Sequence, residues 1–288
     1  MTFRLTALAD PANGAHTHRL AWLASDPGGT PLGSAFLRLF SSAEQSHLAE
    51  LSLDVHPAER RRGVGTALLT AVREAARADG RRVLLAPATE GSPGDAFLTS
   101  HGFTRALVLE FTRLDLAEAP LPEAPVHPDY RLISWTGSCP SERLADFTHS
   151  RTAMDDMPMG DTDFGLLVWD EARVLAAAKA VADRGELLLT VAAVETATDR
   201  IVGFTELVLP ADRTGDAQHY GTGILPAHRH RGLARAIKAE TVRWTRAEHP
   251  GITGLLADTA DNNTAMIAAN HALGYRPTHR SVEFRLDL

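Results

Sequence analysis

Runs of apolar and polar residues in a strand-like period mark out the chain. FRLTAL (3–8), HRLAWLA (18–24), PLGSAFLRLF (31–40) and SHLAELSLDV (46–55) predict four strands; a helix then runs to about Asp79. RRVLLAP (81–87) predicts a strand, a short helix ends at HGF (101–103), and LVLEFTRLDL (107–116) predicts another strand. Further on, YRLISW (130–135) reads as a strand. PSERLADFTHSR (140–151) reads as a helix opened by Ser141, and a second helix spans about Trp169 to Asp183. ELLLTVAAVE (186–195) and IVGFTELVL (201–209), joined by TATDR, predict a hairpin, followed by a strand at QHYGTGIL (218–225). A helix of about 231–248, a buried strand ITGLLAD (252–258), a helix NNTAMIAANHAL (262–273) and a closing strand SVEFRLDL (281–288) complete the pattern.

This order repeats itself. The shift that lays Gly63 on Gly232 also lays Pro57 on Pro226, Arg60 on Arg229, Arg62 on Arg231 and Ala67 on Ala236. Register holds into the following helix, with Arg77 on Arg246 and Ala78 on Ala247, so the chain carries a duplicated structural unit. Between the copies, LAEAPLPEAPVHPDY (116–130) crowds four prolines into a stretch without hydrophobic period, as an extended linker does. The expected division is a domain over 1–118, a linker over 119–128 and a domain over 129–288. The first copy leaves about nine residues between its first two strands, too few for the two helices that the second copy has there.

Composition narrows the function. Of 288 residues, 44% are hydrophobic and 23% charged, as in an ordinary globular protein, and no apolar run reaches the ~20 residues of a membrane span. The N-terminus lacks the apolar core of a signal peptide, and a single cysteine cannot form an internal disulfide, so a cytoplasmic location is expected. A net charge of −7 argues against a protein built mainly to grip nucleic acid. No metal site is expected.

The duplicated turn has the physics of an anion cradle. A strand that passes through a loop into a helix presents unpaired N–H groups at the positive end of the helix dipole. Gly232 and Ala234 add no bulk, and Arg229 and Arg231 add charge-assisted donors. The pattern is neither a P-loop nor a dinucleotide-binding fingerprint.

Arg60-Arg61-Arg62-Gly63-Val64-Gly65 and Arg229-His230-Arg231-Gly232-Leu233-Ala234 resemble the acetyl-CoA pyrophosphate loop of the GNAT N-acetyltransferases. The second copy adds that family's downstream signature, with Asn263 beginning a helix and LGY (273–275) ending it; the first keeps HGF but has Gly91 at the Asn position. The tandem layout is similar to mycothiol synthases and actinobacterial tandem acetyltransferases. The resemblance implies an α+β (mixed α/β) fold of two GNAT-like domains, each a mostly antiparallel, centrally splayed sheet flanked by helices. It implies acetyl-CoA as cofactor, with Ile224 and Leu225, and in the first copy Asp54 and Val55, offering backbone groups to the pantetheine arm. It also implies transfer to an amine.

An alkylammonium, with a pKa of about 10.4, must lose a proton before it attacks, so a base is useful. The family often places a Glu on the strand before the loop, where Glu50 stands in the first copy and His219 in the second; Glu206 on the neighbouring strand is a third candidate. The family's usual acid, a Tyr four residues before the Gly-aromatic pair, is replaced by Leu98 and Asn270. Asp155, Asp156 and Met157, in HSRTAMDDMPMGDTDF (149–164), suit a cationic amine with an apolar part. The reaction is expected in the second copy, with the first a degenerate partner. A non-catalytic CoA-binding protein, or a donor of aminoacyl-tRNA type, stays open at this point.

Overall fold

The computed structural model describes residues 2–9, 17–119, 123–165 and 168–288. Its elements in chain order are β1 (Arg4–Ala9), β2 (Thr17–Ser25), β3 (Pro31–Phe40), β4 (Leu48–Val55), α1 (Val64–Ala78), β5 (Val83–Thr89), α2 (Pro93–Ser100) and β6 (Thr104–Asp115). There follow β7 (Tyr130–Thr136), α3 (Leu144–Ser150), α4 (Glu171–Asp183), β8 (Leu187–Glu195), β9 (Arg200–Leu209), β10 (Gly215–Ile224), α5 (Leu233–Glu248), β11 (Ile252–Ala260), α6 (Thr264–Ala272) and β12 (Arg276–Asp287). Among the described residues no helix is long and apolar enough to cross a membrane.

The chain forms two compact units. The first comprises Met1–Val108, Met159–Leu166 and Arg280–Leu288; the second comprises Leu109–Pro158 and Leu167–His279. In the first, β1 to β5 lie side by side in sequence order, and β4 and β5 pair in parallel. Residues 281–287 of β12 then pair antiparallel with β5. In the second unit β7, β8, β9, β10 and β11 lie in order, again with a parallel pair, β10 with β11. Residues 109–115 of β6 pair antiparallel with β11. The expected division at 118 and 129 puts 107–116 in the first domain and 281–288 in the second. The register assigns each to the sheet built by the other half.

Two of the helix boundaries differ from the sequence expectation. Ser141 opens a 3-10 turn (Ser141–Arg143), and the α-helix starts only at Leu144. Asp170 caps α4 by accepting a 2.7 Å hydrogen bond from the Arg173 N–H, so that helix begins just after Trp169. Residues 120–122 of the proline-rich segment and 10–16 between β1 and β2 lie outside the described residues.

Each sheet buries two faces differently. In the first unit Val64, Leu68, Val72 and Ala76 line one side of α1 at four-residue spacing and pack on Leu37, Ala49, Leu51 and Leu84. Among the described residues the opposite face, with Phe40, Leu48, Val83 and Leu85, carries no long helix and is covered by Phe164, whose ring meets Phe40 edge-on at 5.6 Å. The covering segment is tied down by Gln45 Nε2 donating to the Phe164 carbonyl (3.2 Å), the Asp161 N–H to Ala106 (2.9 Å) and Arg285 to the Asp161 carbonyl (2.8 Å). Phe164→Ala is expected to weaken the first unit by about 1–2 kcal/mol, since only part of the ring is buried. Urea unfolding of the full chain should show this as an earlier first transition, with acetyl transfer retained.

In the second unit α5 packs one face, through Leu233 and Ile237 against Val191 and Ala193. The other face carries α3 and α4, where Phe147 and Val174 pack with Ala192, Val194 and Phe204.

Candidate functional site

The duplicated turn adopts one backbone twice. After a 3-10 turn (Pro226–His228) the chain is extended at Arg229, left-handed at His230 (φ 62°) and again at Gly232 (φ 73°), and α5 starts at Leu233. The first unit repeats this through Pro57–Glu59, Arg60, Arg61 (φ 64°) and Gly63 (φ 83°), with α1 starting at Val64. A left-handed non-glycine residue costs about 1–2 kcal/mol, so its presence at both Arg61 and His230 marks a backbone shape with a use. Alternating left-handed residues aim successive N–H groups into one concavity. Among the described residues nothing accepts from the N–H groups of Gly232, Leu233 and Ala234, or of Gly63, Val64 and Gly65. A Cβ built on Gly63 or Gly232 meets nothing within 4 Å, so the space before these amides is open.

Each turn stands at the mouth of a splay. Pairing of β10 with β11 runs from Gly215 to Gln218 and stops; pairing of β4 with β5 covers Leu48 to Glu50 and stops. Beyond those points the strands diverge, and among the described residues the far parts of β10 (to Ile224, then Leu225) and β4 (to Asp54 and Val55) keep a strand partner on one side only. An extended ligand can pair with such an edge.

The motif's arginines act as braces. Arg229 donates from Nε to the Ile224 carbonyl (2.8 Å), from both Nη atoms to Asp156 (2.6 and 2.8 Å) and to the Ala153 carbonyl (3.2 Å). Arg231 lies 3.7 Å from Asp129 and over the Tyr130 ring. Arg60 donates to the Val55 carbonyl (3.2 Å) and Arg62 to Glu59 (2.8 Å). Asn263 caps α6, its Oδ1 accepting from the Met266 N–H at 3.2 Å. Asn270 is buried, and its Oδ1 has no partner among the described residues.

The Arg229 guanidinium holds the Asp156 carboxyl below the usual carboxylate range. A lowered folded pKa means that the pair stabilises above the unfolded pKa of about 3.9 and is lost as pH falls through the lower folded value. The Arg229 side chain is half-buried and that of Asp156 exposed, so the pair is partly screened by solvent and Asp156→Asn is expected to cost less than about 1 kcal/mol at pH 7 in urea unfolding. Asp155 ends the preceding turn, and Met157 is exposed.

A cleft of about 120 Å³ opens on the α3/α4 face of the second unit, lined by Arg151, Trp169, Ala177, Val181, Leu188, Glu206 and Tyr220. Arg151 Nη2 donates to Glu206 Oε1 at 2.6 Å, and both side chains are more than nine-tenths buried. Burial pushes the Glu206 pKa up, and Arg151 partly offsets this. Tyr220 reaches the same face through a bulge. The register passes from His219 opposite Leu207 to Gly221 opposite Glu206, leaving Tyr220 as the extra residue.

That bulge separates two of the candidate bases. Glu206 lines the cleft, whereas His219 turns to the α5 side, where it lies within hydrogen-bond distance of the Tyr275 hydroxyl (2.8 Å) and Thr205 (3.3 Å). Burial, with Lys238 nearby, depresses the His219 pKa well below its usual value and keeps the ring neutral. Lys238, whose ammonium sits 4.8 Å from the centre of the Tyr275 ring, is itself lowered to about 7 by burial. Glu50, in the first unit, is ion-paired with Arg38 on the face opposite α1. Beside it Glu283 is raised to about 7 by burial and by the Glu50 charge.

Arg151, Trp169 and Lys238 were missed from sequence. Lys238 had left a signal, a cation on the inward stripe of α5 with Ala234, Thr241 and Thr245. Arg151 had left none, because it is the end of a short helix that brings it beneath β9.

A family model described as acetyltransferase (GNAT) family matches residues 4–103 and 153–275. The chain is similar to the mycothiol acetyltransferase of Nocardia farcinica (strain IFM 10152), 29% identical over 243 residues, which is 84% of this chain and 76% of the relative. Among solved structures it is similar to a tandem GNAT protein from the clavulanic acid biosynthesis pathway, with TM-score 0.76, 25% identity, and coverage of 95% of this chain and 84% of that one. A GCN5-related N-acetyltransferase from Sphaerobacter thermophilus shares the fold, with TM-score 0.70, 18% identity, and coverage of 93% and 80%.

Proposed function

Because the chain belongs to the acetyltransferase (GNAT) family and is an acyltransferase, we propose that its second unit moves acetyl from acetyl-CoA to the amine of a small molecule held in the Arg151–Glu206 cleft. The observation that carries this reading is the coincidence in that unit of the open turn, the splayed strand pair and a cleft with a buried carboxylate. In the first unit the face corresponding to the cleft is covered by Phe164. The names of the similar proteins, one an acetyltransferase named for mycothiol and one from the clavulanic acid biosynthesis pathway, support a small-molecule acceptor.

The free N–H groups of Gly232, Leu233 and Ala234 would hold the cofactor's pyrophosphate, and the unpaired edge of β10 its pantetheine arm. Acetyl-CoA supplies an activated acetyl thioester when bound. Glu206 takes the proton that the acceptor's ammonium must lose, and its burial makes its carboxylate a stronger base than an exposed glutamate. Arg151 fixes the orientation of that carboxylate through the 2.6 Å bond. The first unit's turn, with the same backbone, is assigned a second CoA that does not turn over.

Native mass spectrometry of the purified chain should find CoA bound, and amines added with acetyl-CoA should release free thiol. A protein that neither retains CoA nor releases thiol with any small amine would refute the assignment.

A further inference from the structure

The cleft holds a cation as well as a carboxylate, and the pair restricts which amines it accepts. Arg151 is 6% exposed and lies among the rings of Phe147, Trp169 and Phe204 at 4.9, 4.3 and 4.8 Å. Among the described residues only Nη2 is committed to a hydrogen bond, with Glu206. Among the described residues Nε is buried without a partner, and Nη1 has no hydrogen-bond partner but is not sealed from solvent. The guanidinium therefore presents an unused donor in the wall of the cleft, next to the carboxylate.

The ion pair is neutral as a whole. A simple ammonium drawn to Glu206 meets the positive charge of Arg151 at the same distance range, and in a buried site that repulsion is poorly screened. A molecule with its own carboxylate a few bonds from its amine satisfies both: the carboxylate accepts from Arg151 Nη1 and the amine faces Glu206. The other lining groups, Trp169, Ala177, Val181, Leu188 and Tyr220, bring no further charge. Size agrees as well. A cavity of about 150 Å³ takes a benzene molecule, so the cleft's 120 Å³ admits a head group of about five or six heavy atoms.

We propose that the acceptor carries an amino-acid head, with amine and carboxylate one or two carbons apart, its carboxylate held by Arg151 and its amine presented to Glu206. This rests on the reading of the cleft as the acceptor site, and it replaces the plain cationic amine expected from the acidic loop.

The test is thiol release by the full chain with acetyl-CoA and matched acceptors: L-alanine and β-alanine against ethylamine, L-serine against ethanolamine, and L-alaninamide, in which a neutral amide replaces the carboxylate, as the control. A charge-assisted hydrogen bond predicts that kcat/KM favours the carboxylate-bearing member by about 10- to 100-fold. Arg151→Gln should reduce that preference below about 3-fold, mainly through a higher KM for the amino acids. If the variant does not fold, calorimetric titration of the unaltered protein with L-alanine and with ethylamine decides instead. Equal or better turnover of ethylamine and ethanolamine would overturn the amino-acid head and leave the acceptor cleft standing. No turnover with any of these probes would overturn both.

Discussion

Glu206→Gln is expected to lower kcat by about 10²- to 10⁴-fold at neutral pH, the usual worth of a general base. Gln keeps an oxygen to accept from Arg151 Nη2, so thermal melting within a few degrees of the parent would separate lost chemistry from lost fold. The pH dependence supplies a second check. Burial raises the Glu206 pKa, so the parent enzyme should lose activity on acidification at a higher pH than an exposed glutamate would dictate. The stability sign follows: a carboxyl whose folded pKa is raised stabilises least once it is ionised, so this contribution falls as pH rises through the folded value. In Glu206→Gln the inflection set by that carboxyl should disappear from the acid limb, leaving a residual rate that climbs steadily with pH as the free amine fraction grows. His219→Ala should leave the acid limb in place, because the ring lies on the α5 side of β10. If Glu50→Gln abolished turnover while Glu206→Gln stayed active, the reaction would belong to the first unit.

The second large effect is at the turn. Gly232→Glu should weaken CoA binding to the second unit by about 10- to 100-fold. A non-glycine residue at φ 73° costs about 1–2 kcal/mol, and an anion at the helix N-terminus repels the pyrophosphate that the dipole would otherwise attract. No neighbouring atom lies within 4 Å of a Cβ there, so the change does not act by crowding the protein itself. Gly232→Ala, which brings only the backbone strain, should lose less. Gly63→Glu should remove the first unit's CoA and keep turnover within about 2-fold of the parent. Calorimetry with CoA and the thiol-release assay report the two quantities separately, and equal losses of turnover at Gly63 and Gly232 would show two working sites.

By itself the sequence determined what a few neighbouring residues control. The matched Pro, Arg and Gly positions specify the same turn twice, and the structure shows the same pair of left-handed residues in both copies. The four-residue spacing of Val64, Leu68, Val72 and Ala76 specifies the buried side of α1. The GNAT resemblance followed from these local features because the anion cradle is itself local.

Tertiary structure decided everything that depends on which face a strand presents and on which strand it joins. Glu50 and His219 align in sequence, yet one bulged residue, Tyr220, places them on opposite faces of their sheets, because side chains alternate with a period of two. LVLEFTRLDL and SVEFRLDL carry the same alternation, so either could close either sheet; the hydrogen-bond register alone sends 109–115 to β11 and 281–287 to β5. Arg151 and Glu206 are 55 positions apart, with nothing in the chain between them to announce their pairing. Only the packing of α3 beneath β9 brings the two charges together, and there burial makes the carboxylate basic enough to use.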